Sequence, residues 1–111
     1  MPAGRAVTEC PISTSDGVKL ADVSWFSAER ISPIEDELCF SIAPEICVEV
    51  ISPSNTKREI EEKRALYFEA GAQEFWTCSG AGKMLFFPDP HGEPIEKSIF
   101  CPEFPGVIDF S

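Results

Sequence analysis

Basic side chains are scarce in this sequence. Nine Lys and Arg stand against nineteen Asp and Glu, a formal net charge of −10 with a pI near 4.4. Proteins that grip nucleic acid by bulk attraction do so by neutralising phosphates with Lys and Arg, and this balance argues against that mode. A local basic patch or a metal-bridged phosphate stays open. Histidine is confined to His91, and none of Cys10, Cys39, Cys47, Cys78 and Cys101 forms a C-x-x-C pair. The ligand spacing of a structural zinc site is therefore missing. No apolar run approaches the roughly 20 residues that span a bilayer, and the opening MPAGRAVTEC lacks the apolar stretch of a secretory signal. The reading is a reduced, cytoplasmic chain whose thiols pack as small buried groups. Repeats and low-complexity segments are absent, and 111 residues make one small domain, residues 1–111, with a single modest core.

What is present is a pattern of short strands around one helix. Arg5 to Cys10 suits a first strand ended by Pro11, and Asp16-Gly17 is a tight-turn pair. Val18 to Phe26 alternates, with Val18, Leu20 and Asp22 on one face and Val23 and Trp25 on the other. Ser27 to Ile42 reads as a Pro-broken connection with a helical turn at Ala28-Glu29-Arg30 and a solvated acidic cluster at Glu35-Asp36-Glu37. Glu74 to Cys78, a Ser79–Gly82 loop and Lys83 to Phe87 form a hairpin. His91 falls in a solvated turn, and Ile95 to Cys101 reads as a last weak strand. This order predicts an α/β domain with a mixed sheet.

The most informative stretch is Ala43 to Tyr67. Ile46-Cys47-Val48-Glu49-Val50-Ile51 is apolar on both faces apart from Glu49, which predicts a central strand covered on both sides. Thr56-x-x-Glu59 fits a capping box. After it, Ile60, Leu66, Tyr67 and Ala70 share a helix face that also carries Lys63, while Glu61, Glu62, Arg64 and Glu69 are expected outside and Gly71 closes the helix. An acid in a central strand and a lysine on a core-facing stripe both cost free energy unless paired or used. Each also has a bland reading. Asp22 and Glu49 could sit at strand ends and bond backbone, and Lys63 could snorkel along the edge of its stripe. Taken together, Asp22, Glu49 and Lys63 are the residue types that suit phosphodiester hydrolysis. Two carboxylates can hold Mg²⁺, and a neighbouring lysine can orient water and offset charge on phosphoryl oxygens.

The segment PEICVEVISPSN followed by KREIEEKRALYFEAGAQEFW resembles the Uma2 family, formerly DUF820, of the PD-(D/E)XK nuclease-like superfamily. The resemblance covers about residues 17–110. Its marks are Asp22-Val23, the run Val48 to Ser54, Lys63 four before Tyr67, and Gly71 with Glu74-Phe75-Trp76. It implies a restriction-endonuclease-like core, shortened at its N-terminus, and a Mg²⁺- or Mn²⁺-dependent endonuclease acting on DNA. By the same resemblance Asp22 and Glu49 would bind metal. Ile51 stands where many superfamily members carry the catalytic lysine, so Lys63 on the helix would replace it. Two other readings remain beside this one. One is an inactive member serving as an interaction module, with a homodimer covering the exposed sheet edge. The other is a phosphohydrolase acting on a small substrate. With so few basic residues, DNA binding is expected to be weak and strongly salt-sensitive.

Overall fold

The computed structural model describes residues 3–109. Five strands form one sheet in sequence order: β1 (Gly4–Thr14), β2 (Gly17–Ser27), β3 (Ile46–Val50), β4 (Glu74–Cys78) and β5 (Met84–Phe87). A four-residue helix α1 (Ala28–Ile31) follows β2, and the principal helix α2 (Lys57–Glu69) links β3 to β4. Neighbouring strands are antiparallel except β3 and β4, which run parallel. That pair needs a crossover connection, and α2 supplies it. The expected mixed sheet is therefore present.

The first hairpin differs from its expectation. Pro11 does not end β1, which runs on to Thr14. Its missing N–H is tolerated because β1 is an edge strand; the Pro11 carbonyl instead accepts from Phe40 N–H at 2.8 Å. Strict alternation also fails. Val7 packs against the helix-side core, yet so do Cys10 and Ile12. Glu9, at φ 47°, stands where the inward parity of β1 changes. On β2, Ser24 and Phe26 are buried but so is Ala21, while Val18 and Leu20 are exposed.

Local chemistry sets the bounds of α2. Thr56 Oγ1 accepts from Glu59 N–H at 3.1 Å and donates to Glu59 Oε1 at 3.2 Å, the reciprocal bonding of a capping box. At the far end Gly71, at φ +116°, turns the chain as few other residues could. The helix-side core joins Phe26, Phe40, Cys47, Tyr67 and Phe75. Side chains of this size contribute roughly 1.5–3 kcal/mol each when buried. The opposite face, with Ile46, Trp76 and Phe86, is covered by Phe100, Phe104 and Ile108. β3 thus lies central and covered on both sides.

Two expectations are corrected here. Arg64 is buried, not outward. Its guanidinium donates to Asp89 O at 2.9 Å and Gly92 O at 2.7 Å and lies 4.2 Å from the centre of the Phe87 ring. The helical stripe is wide enough to include it because a turn from 89 to 92 folds over that side of α2. Residues 95–101 do not form a strand; Ile95 makes only an isolated bridge to Phe86. The amides of Ile99 and Phe100 bond the Glu74 carboxylate at 2.7 and 3.1 Å, which takes them out of any ladder.

Candidate metal and acid-base site

The register of β2 against β3 pairs Val23 with Val48 and Trp25 with Ile46. One step further along the same register sets Asp22 across from Glu49. Two hydrogen bonds lace them together: Asp22 N–H donates to Glu49 Oε2 at 3.3 Å, and Asp22 Oδ2 accepts from Val50 N–H at 2.8 Å. Among the described residues, the other carboxylate oxygen of Asp22 has no hydrogen-bond partner. The backbone-bonded reading of Asp22 is thus part of the picture, and it is the bond that holds the aspartate beside the glutamate.

Lys63 reaches the same point from α2. Its ammonium donates to Glu49 Oε1 at 2.9 Å and to Leu20 O at 3.4 Å. Its side chain keeps about a third of its exposure, whereas Glu49 is buried. Asp22, Glu49 and Lys63 therefore converge. A fourth residue joins them that the sequence reading assigned only to the apolar stripe: Tyr67 donates its hydroxyl to Glu49 Oε2 at 3.4 Å. The available signal was its position, one helical turn after Lys63 on the same face.

Burial pushes the Glu49 carboxyl above its ordinary range and the nearby Asp22 charge adds to that, while the Lys63 ammonium opposes it. Burial also raises the Tyr67 phenol, and the Glu49 charge raises it further. Tyr67 accordingly keeps its proton and donates it to Glu49. As a cation site the arrangement offers two carboxylates with hard oxygen donors. No cluster of three or more His, Cys, Asp or Glu suited to a metal is found among the described residues. Two carboxylates with a largely hydrated ion fit Mg²⁺, which retains several waters, better than zinc.

Other sequence candidates lie elsewhere. His91 is exposed in its turn, and Glu35, Asp36 and Glu37 are exposed. Lys57 and Arg58 are exposed and face Glu61 and Glu62 along the helix. Arg64 is committed to the 89–92 turn. A cavity of about 620 Å³ opens between α2 and β4–β5, lined by Ile60, Phe75, Thr77, Leu85 and Phe87 among others; it contains none of the three converging residues. The burial of two further acids was not read from the sequence. Glu45 accepts from Ser27 N–H at 3.0 Å and lies 3.7 Å from Arg30. Glu74 is described below. No helix is long and apolar enough to cross a membrane among the described residues.

A mixed sheet crossed by one helix, with two acids and a lysine meeting at β2, β3 and α2, places the chain among α/β folds of nuclease-like architecture. The sequence profile of the Uma2 family, described as "Putative restriction endonuclease", matches residues 3–101. The chain belongs to the Uma2 family. A crystal structure from Anabaena variabilis, described as a "putative nuclease belonging to DUF820", is similar with a TM-score of 0.69 and 24% identity. The match covers 83% of this chain and 53% of that one, so this chain spans about half the length of that protein. At this identity the likeness is one of fold. No curated protein matches the sequence.

Proposed function

We propose that the chain is a divalent-metal-dependent nuclease that hydrolyses DNA phosphodiester bonds, with Asp22 and Glu49 holding Mg²⁺ or Mn²⁺ and Lys63 assisting. The observation that carries this reading is the meeting of the three side chains around one buried carboxylate, with Lys63 2.9 Å from Glu49 and Asp22 tied to it through backbone. Family membership supports the same activity and the choice of DNA. The cation, when bound, supplies Lewis-acid polarisation of a phosphate and makes water more acidic. The chain's own residues do the rest. Glu49, anchored from three sides, keeps one carboxylate geometry. The partly exposed Asp22 offers an oxygen that no other group claims among the described residues. Lys63 carries a positive charge beside them, where it can orient water and offset charge on phosphoryl oxygens.

Cleavage of supercoiled DNA with Mg²⁺ or Mn²⁺ tests this, alongside calorimetric titration of the metal. Asp22→Asn and Glu49→Gln should abolish metal binding and cleavage while the chain stays folded. Lys63→Met should slow cleavage by about 100-fold, in the range seen when one transition-state donor is removed. Cleavage by Glu49→Gln at the wild-type rate overturns the proposal. Binding to DNA should weaken steeply with salt.

One observation favours a second reading. Both oxygens of Glu49 already have partners within the chain, in Lys63, Tyr67 and Asp22 N–H. A set of polar groups that satisfy one another needs no ligand. On that reading the chain is a non-catalytic interaction module, and Glu49→Gln changes stability alone.

A further inference from the structure

We infer that Tyr67 is a positioning residue for Glu49: its hydroxyl fixes carboxylate oxygen Oε2, so that Glu49 meets a divalent cation in one orientation. The inference rests on the metal-site reading above and extends it to a residue that never touches the cation or substrate. Three observations carry it. First, Lys63 and Tyr67 lie one helical turn apart on α2 and take one oxygen each: Lys63 donates to Oε1 at 2.9 Å and Tyr67 to Oε2 at 3.4 Å. Second, Tyr67 has no exposed surface, and Glu49 is the one hydrogen-bond partner of its hydroxyl among the described residues. Third, its ring packs near Phe75, at 6.1 Å between centroids, a space that phenylalanine would fill equally well. A buried hydroxyl costs free energy unless it is bonded. What tyrosine adds over phenylalanine here is the bond to Glu49.

A carboxylate can rotate about its last single bond. Asp22 N–H and Tyr67 O–H hold Oε2 from two sides, while Lys63 holds Oε1. Hydrogen-bond partners of metal ligands orient those ligands, and their loss typically costs about 10–100-fold in metal affinity.

The chain has one tyrosine, so a tyrosine-specific signal reports Tyr67 alone. The experiment titrates Mn²⁺ calorimetrically into wild type, Tyr67→Phe, Glu49→Gln and Phe75→Leu, with thermal unfolding of each. It also records ultraviolet resonance Raman spectra of the phenol in metal-free wild type and Glu49→Gln. Tyr67→Phe should lose about 10–100-fold in Mn²⁺ affinity and still unfold cooperatively. Phe75→Leu, which disturbs the same packing without touching Glu49, should lose stability and keep the wild-type affinity. The Raman signature of a hydroxyl donating to a carboxylate should weaken in Glu49→Gln. Wild-type affinity in Tyr67→Phe, with none in Glu49→Gln, overturns the inference and leaves the metal site standing. An unchanged Raman signature in Glu49→Gln also overturns it. A folded wild-type chain without Mn²⁺ affinity overturns the metal-site reading and the inference together.

Discussion

Two buried glutamates, Glu49 on β3 and Glu74 on β4, sit in adjacent strands of one sheet but on opposite faces and toward opposite ends. Glu74 is surrounded by neutral donors. Trp76 Nε1–H and the Ser98 hydroxyl bond Oε1 at 2.7 and 2.6 Å, and the amides of Ile99 and Phe100 bond Oε2. Three of those four donors belong to the irregular segment after β5. Its carboxylate fastens that segment over Trp76 and Phe86, and it makes no ion pair among the described residues. Glu49 meets an ammonium, a phenol and a single amide, and faces a half-buried aspartate. The first environment saturates a carboxylate with fixed dipoles and leaves it nothing further to bind. The second concentrates charge of both signs at one spot, as metal and acid-base sites do. Residue type and burial are the same in both; the kind of partner is what differs.

The sharpest way to break this contrast is to exchange the losses. Glu74→Ala should strip an acceptor from four donors, three of them in or next to the C-terminal segment. Buried unsatisfied donors cost about 1–3 kcal/mol each, so a total above roughly 3 kcal/mol is expected by urea unfolding. Mn²⁺ affinity, in whatever fraction folds at low temperature, should be unchanged. Glu49→Gln should do the reverse, removing affinity at small cost in stability. If Glu74→Ala left stability intact, its role as fastener would fall.

A smaller effect is expected at Arg64, the second polar group that ties an irregular segment to the fold. Arg64→Ala should cost about 1–3 kcal/mol by leaving the Asp89 and Gly92 carbonyls without their donor. Hydrogen exchange should quicken at the amides of His91 and Gly92, which bond Asp89 Oδ1, and not in β3. Arg64→Lys should recover little, because lysine lacks the planar fork that reaches both carbonyls and covers Phe87.

The smallest effect expected is a pH dependence at Glu49. Burial holds the Glu49 carboxyl above its ordinary 4.5, so the folded chain keeps that proton more tightly than the unfolded chain. The stability it contributes is fully present below the unfolded value and is lost as pH rises from 4.5 through the raised folded value. The difference in unfolding free energy between wild type and Glu49→Gln should therefore decline across that window and level off above it. A difference that grew with pH would mean that Lys63 outweighs burial.

Much of the fold was legible because its signals are local. The Asp16-Gly17 turn, the capping box at Thr56, the closing Gly71 and the apolar strand around Glu49 each depend on a few neighbouring residues, and each is found as expected. Lys63 was legible for the same reason, since spacing of three and four along a helix fixes its face. Arg64 was misread because the 89–92 turn that buries it lies some 25 residues away in sequence. Residues 95–101 were misread because a side chain, Glu74, claims the amides that a strand would have used.

The sequence by itself determined where β2 to β5 and α2 lie, and it brought Asp22, Glu49 and Lys63 forward as residues out of place in apolar surroundings, because propensity, capping and periodicity act over a few residues. Only the tertiary structure decided that Glu49 meets Lys63 and Asp22 while Glu74 meets neutral donors. That depends on the register of β2 against β3, on the crossover that sets α2 over Glu49, and on the segment that closes around Glu74. These are long-range pairings, and electrostatic partnership is set by distances of a few ångströms that no local pattern encodes.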